Sequence, residues 1–168
     1  MKPRRKRDNT VIQRVNKALD LPDYAVSERL RASLHESAHL IAAKVLGESI
    51  IGIGLGGTNS DAAGTWTRMR SRDVFSLRNR LIVLWAGPLA DGRPVPPIGK
   101  GELGDDESAM FSIARELCGA AAKPGRVEKE ITQARSRAVK LVRKHQPEIE
   151  ELAGHLLTLY GCLDRIKG

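Results

Sequence analysis

Apolar positions along this chain fall mostly at helical intervals. Leu30, Leu34, Ala38, Ile41, Ala42, Val45 and Leu46 recur every three or four residues, the spacing that lines up one face of an α-helix. Ser27 is suited to cap its start and Gly47 to stop it. Val74, Leu77, Leu81, Ile82 and Leu84 predict a second helix from Ser71 to about Leu89. Met110, Ile113, Ala114 and Leu117 predict a third. Asp105-Asp106-Glu107 opens it with charges that suit a helix N-terminus, and Gly119 with Pro124-Gly125 ends it. A long last helix is expected from about Val127 to Tyr160, with a break near His145-Gln146-Pro147. Ahead of all these, Val11 to Leu19 has the pattern of a short helix, broken by Leu21-Pro22-Asp23.

Two stretches depart from the helical period. Ser49 to Leu55 alternates Ile with Gly and reads as a strand. Gly56-Gly57-Thr58-Asn59-Ser60 is turn chemistry, and Gly64-Thr65-Trp66-Thr67 reads as a second short strand. Gly92 to Gly104 is too rich in Pro and Gly for regular structure, and a long irregular connection often carries function. The fold class is therefore mainly α with a small β-sheet or hairpin.

Composition sharpens this. A chain of 168 residues is one domain by size. Aromatics make up only 4% against 41% apolar residues, so the core is built from Leu, Ile, Val and Ala. Such a core favours packed helices over a β-sandwich. The net charge of +8 is uneven: Lys2-Pro3-Arg4-Arg5-Lys6-Arg7 contributes five positive charges. Residues 1–26 read as a basic, flexible leader ahead of a domain at 27–168. With no aromatic residue to stack on bases, the leader reads first as a solubilising terminus; an arm for nucleic acid or an anionic surface is the rival reading. Cys118 and Cys162 lack metal-type spacing and read as buried free thiols of a reducing compartment. The charged N-terminus is not followed by the apolar run of a secretory leader. The most apolar run, Leu81 to Ala90, is about half of what a helix needs to cross a bilayer. The expectation is a soluble, cytoplasmic protein with no membrane span.

The chemistry concentrates in His35-Glu36-Ser37-Ala38-His39. Positions i and i+4 of a helix share a face, so His35 and His39 can present two imidazoles to one Zn2+. Glu36, beside the first ligand, can act as general base on a metal-activated water and then pass the proton to a leaving amine. A catalytic zinc takes three protein ligands. Six residues past His39, where an extended zincin motif has another histidine, stands Val45, and no N-E-x-x-S-D sequence follows. The candidates for the third ligand are then Asp61, Asp91, Asp105, Asp106 and Glu107. His145 and His155 on the last helix read first as exposed histidines.

In order along the chain, these segments resemble the peptidase domain of FtsH-type ATP-dependent zinc proteases. Leu34 to His39 is similar to that family's zinc helix, usually H-E-A-G-H, with Ala38 in place of the glycine. Ala63-Gly64-Thr65-Trp66-Thr67 resembles its G-Y-T strand. Leu84-Trp85-Ala86-Gly87-Pro88-Leu89-Ala90-Asp91 resembles its A-G-R-A-A-E helix. Gly104-Asp105-Asp106-Glu107-Ser108-Ala109 resembles the segment that carries its third ligand, an aspartate. The family has small or apolar residues seven, eight, eleven and twelve positions beyond that ligand. Counted from Asp106 these are Ile113, Ala114, Leu117 and Cys118, a better fit than from Asp105, so the resemblance favours Asp106 with Asp105 as the alternative. It covers roughly residues 27–160, including Ala138, Leu141, His145, Ile149, Leu152, Ala153 and Leu157 of the last helices.

The resemblance implies a helical zinc-peptidase domain and an endopeptidase acting on peptides or unfolded proteins. Its substrate would add as a strand near Gly64 to Thr67. It also implies a homo-oligomer, with the family's ring of six left open here. The chain carries no G-x-x-x-x-G-K-[ST] loop, so it is expected to act on loosely folded chains or to borrow a separate ATP-dependent unfoldase. Two rivals stand beside the enzyme. One is a catalytically silent, metal-bearing binding or scaffold domain, against which intact Glu36 argues. The other is a nucleic-acid-associated protein using its basic leader.

Overall fold

The computed structural model describes residues 23–54, 64–68, 74–91, 105–119 and 121–167. Over these the protein is mainly α-helical. The elements run α1 (Asp23–Leu46), β1 (Ser49–Gly54), β2 (Gly64–Arg68), α2 (Val74–Ala90), α3 (Asp105–Cys118), α4 (Pro124–Lys144) and α5 (Gln146–Lys167). The basic leader, the Val11–Leu19 helix, the Gly56–Ser60 turn and the Pro-rich Gly92–Gly104 segment lie outside the described residues.

α2 is the centre of the molecule. Residues 81–88 are all buried, and a helix that is apolar all round belongs inside. One side, Leu81, Ile82, Leu84 and Trp85, packs with Met110, Ala114 and Cys118 of α3 and Val127, Ile131, Ala134 and Ala138 of α4. The other side, Val83 and Ala86, packs with Ala38, Ile41, Ala42 and Ala43 of α1 and Ile149 of α5. Ala38, Ala42, Ala43 and Ala86 expose nothing; such small side chains let helix axes come to the near end of the usual range. The apolar pattern had marked only one stripe of α2, because Val83, Trp85 and Ala86 fall outside a single helical face.

The helix ends follow backbone chemistry. Gly47 has φ 71°. Its N–H donates to the carbonyl of Lys44 at 3.1 Å, and that of Glu48 to Ala43 at 2.9 Å. This pair of bonds is a Schellman motif, closed by a glycine in the left-handed region. It turns the chain directly into β1. Gly119, φ 83°, ends α3 by donating to Arg115 at 3.0 Å. α1 begins at Asp23, four residues ahead of the expected cap at Ser27. Pro124 opens α4 instead of closing α3, because a missing N–H is no loss in a first turn. The expected break near His145 is there, with Pro147 unable to continue α4 past the carbonyl of Arg143. Val45, expected on the buried stripe, is 47% exposed at the end of α1.

β1 and β2 pair antiparallel, from Ser49 opposite Arg68 to Gly54 opposite Gly64, with a register shift between Ile50 and Gly52. Both strands lie against α1. The buried Asn79 of α2 donates to Glu48 Oε1 at 3.2 Å and to the Leu46 carbonyl at 3.4 Å. That bond set fastens the α1–β1 corner to the central helix. Arg78 forms a two-pronged pair with Glu130 of α4, 2.9 and 3.1 Å. No helix among the described residues is long and apolar enough to cross a membrane.

If burial around α2 holds the bundle together, Leu81→Ala (1% exposed) should lose about 2–5 kcal/mol of unfolding free energy in urea. Phe75→Ala, at a site 73% exposed, should stay within about 0.5 kcal/mol of the parent.

Candidate metal centre

α1, α2 and α3 meet around His35 and His39. One helical turn apart, the two rings stand edge to face, centroids 4.6 Å apart and planes at 80°. The Nε2 atoms of both approach one oxygen of Asp106, on the first turn of α3. His35 Nε2 lies 2.9 Å and His39 Nε2 3.2 Å from Asp106 Oδ2. The three side chains come from sequence positions 35, 39 and 106, and their ligand atoms fall within 4.8 Å of one another. This is a group that could hold a metal ion.

The other ring nitrogens fix the orientation. His39 Nδ1 is 2.7 Å from the carbonyl of Val83. A carbonyl only accepts, so this nitrogen carries the hydrogen and donates. His35 Nδ1 donates in the same way to Asp91 Oδ2 at 3.1 Å, and the Asp91 side chain is only 1% exposed. With the hydrogen held on Nδ1 in this way, each imidazole when neutral has its lone pair on Nε2, on the Asp106 side, the arrangement that partners of this kind impose on metal-binding histidines.

Gly87 of α2 provides the third wall. A Cβ added there would lie 2.5 Å from His39 Nε2 and 2.6 Å from His35 Nε2, so no other residue fits without displacing the rings. The space beside Gly87 thus borders both lone pairs. Ligand atoms about 2.0–2.1 Å from an ion in a tetrahedron stand roughly 3.3 Å apart, and the two Nε2–Oδ2 separations are close to that edge. The donor set and the gap fit a small divalent cation.

Electrostatics agree with the geometry. Burial by itself would lower the pKa of His35, but the hydrogen bonds to Asp106 and Asp91, with the charges of Asp106 and Glu36, outweigh it and raise the value to about 9. Burial would likewise raise that of Asp106; the bonds from His35 and His39 instead hold it well below the usual carboxylate range. A cation and a proton compete for the same lone pairs. Glu36 is buried, 6% exposed, next to this group on α1.

Of the acidic ligand candidates, the structure brings Asp106 to the histidines. Asp91 sits on the far nitrogen of His35, so its role is orientation and not ligation. Glu107 follows Asp106 on α3 outside the group, the side chain of Asp105 and all of Asp61 lie outside the described residues, and His145 pairs with Glu148 at 2.8 Å. His155 is exposed on α5. Sequence reasoning missed the Val83 carbonyl, Gly87 and Arg80. Burial lowers the pKa of Arg80 against the opposing pull of the Asp106 and Glu48 charges. The signal was present in the spacing: Val83, Gly87 and Asp91 recur at steps of four along α2 and just past its end, and each meets the histidines.

No family model, curated protein or solved structure matches the chain.

Two measurements follow. Elemental mass spectrometry should find about one metal ion per chain, with a clear loss in Asp106→Ala; an Asp106→Ala protein that keeps its metal would remove Asp106 from the site. Asp91→Asn should keep the fold but weaken metal affinity by about 10–100-fold in chelator competition, and unchanged affinity would make Asp91 a bystander.

Proposed function

We propose that this protein is a zinc-dependent endopeptidase of the FtsH peptidase type, hydrolysing peptide bonds in peptides or unfolded proteins. The observation that carries the reading is the convergence of His35 Nε2, His39 Nε2 and Asp106 Oδ2 with a buried carboxylate, Glu36, one residue from the first of them. Two imidazoles and one carboxylate are the donor types of catalytic zinc sites, where one position stays open. Bound there, zinc would polarise a substrate carbonyl and lower the pKa of water.

The chain's own residues supply the rest. His35, His39 and Asp106 would hold the ion. Asp91 and the Val83 carbonyl orient the rings, and Gly87 leaves the gap open. Glu36 accepts a proton from the attacking water and delivers it to the leaving amine nitrogen. Glu36 is buried beside the first ligand on the same helix, which withdraws it from bulk water. The two-stranded ladder lies against the helix that carries the motif, so an extended peptide added to it would run beside the site. A separate unfoldase would widen the substrates to folded proteins.

Glu36→Gln separates this reading from a silent metal-bearing module. Zinc content should stay at the parent level, while cleavage of an unfolded protein should fall by about 10²-fold or more. A zinc-loaded parent that cleaves nothing across a broad peptide library, or a Glu36→Gln protein as active as the parent, would move the assignment to a binding domain.

A further inference from the structure

α4 has a second face that the peptidase reading does not use. Val127, Ile131, Ala134 and Ala138 point inward. On an outer flank, Arg126, Lys129, Gln133, Arg137, Lys140 and Lys144 recur at steps of three and four residues, and all six are exposed. They form one unbroken stripe along the helix, about 27 Å long at 1.5 Å per residue. Lys123 to Lys144 holds eight basic side chains and two acidic ones. Of those two, Glu130 is taken by Arg78 from α2. A shallow depression lined by Arg78, Gln133 and Arg137 continues the stripe toward α2.

We propose that this face of α4 docks on the sugar-phosphate backbone of a double-stranded nucleic acid, independently of the metal centre. Three features choose this partner. A narrow, straight row of cations matches a rod that carries one negative charge per about 1.7 Å of axis. The stripe has no aromatic residue, so it offers no platform for unstacked bases of a single strand and no anchor of the kind that dominates protein interfaces. The apolar face of α4 is already committed to the core, so the helix cannot sink it into a lipid interface as a membrane-surface helix does. Gln133, between the cations, adds a neutral donor of the type that phosphates accept. The contact is to backbone and is sequence-independent.

The test is a fluorescence-anisotropy titration of the full chain with duplex DNA, duplex RNA and a single strand, each longer than the stripe, between about 50 and 200 mM salt. Parallel titrations use phosphatidylcholine–phosphatidylserine vesicles. The expected result is duplex binding with a slope of log affinity against log salt of about −4 to −5 for five cations, weaker for the single strand and the vesicles. Lys129→Gln with Arg137→Gln and Lys140→Gln should reduce that slope by about 3. The charge-matched control, Lys44→Gln with Arg115→Gln and Arg135→Gln, removes three exposed cations off the stripe and should change it by less than half as much. Circular dichroism checks each fold; should a triple substitution not fold, Lys129→Gln alone is expected to reduce the slope by about 0.9. The two duplexes decide whether DNA or RNA is bound. Equal effects of the two triples, binding that vanishes when Lys2, Arg4, Arg5, Lys6 and Arg7 are neutralised but ignores the stripe, vesicles preferred to duplex, or no duplex binding at the lowest salt would each overturn the proposal.

Discussion

The structure turns on how closely α2 can approach α1. At Gly87 the backbone of α2 lies so near the Nε2 atoms of His35 and His39 that a single methyl group would collide with both. The alanines at the same interface, Ala38, Ala42 and Ala86, permit that approach; larger residues would hold the helices apart by a side chain's thickness. From the close approach follow the Val83 carbonyl on His39 and the Asp91 carboxylate on His35. With the rings turned this way, Asp106 of α3 faces both Nε2 atoms. Packing comes first, then ring orientation, then the three-donor group.

α2 is consequently both core and site. Its outer neighbours α3 and α4 are joined to it by an aliphatic cluster around Leu81, Met110 and Ile131. This cluster sets where the first turn of α3 falls and hence where Asp106 sits. A cavity made on that side is felt at the histidines through Asp106, although it touches neither ring. The Schellman turn at Gly47 and the Asn79–Glu48 bond do the same for the ladder, holding it at the end of the helix that carries the histidines.

Much of this was legible in the chain. His35 and His39 announced themselves because i, i+4 on an amphipathic helix is a local relation, and Gly47 and Gly119 because a left-handed C-terminal position is local too. Asp106 was reached only with the help of a resemblance, since nothing in its neighbours tells an acidic helix start from a ligand. Asp91, one of several acidic candidates, meets His35 from the other side. Its carboxylate faces the nitrogen away from Asp106, and which nitrogen a carboxylate meets depends on a helix crossing that no sequence pattern encodes. The burial of residues 81–88 of α2 on every side escaped the period analysis for a related reason: a helix in contact on two sides shows no single stripe. Pro124 misled because proline ends one helix and begins another with equal ease.

His35 and Asp106 are 71 residues apart in sequence. Their contact therefore closes a long loop of chain that includes the ladder, α2 and the Pro-rich stretch. Closure entropy grows only with the logarithm of loop length, each doubling adding about 0.6 kcal/mol. The number of residues between the partners therefore enters the cost of this contact only weakly, whereas a single methyl group added at Gly87 would meet both rings. For this contact, then, the spacing of the helices is the guarded quantity, held by the alanines and Gly87 where α1 and α2 meet.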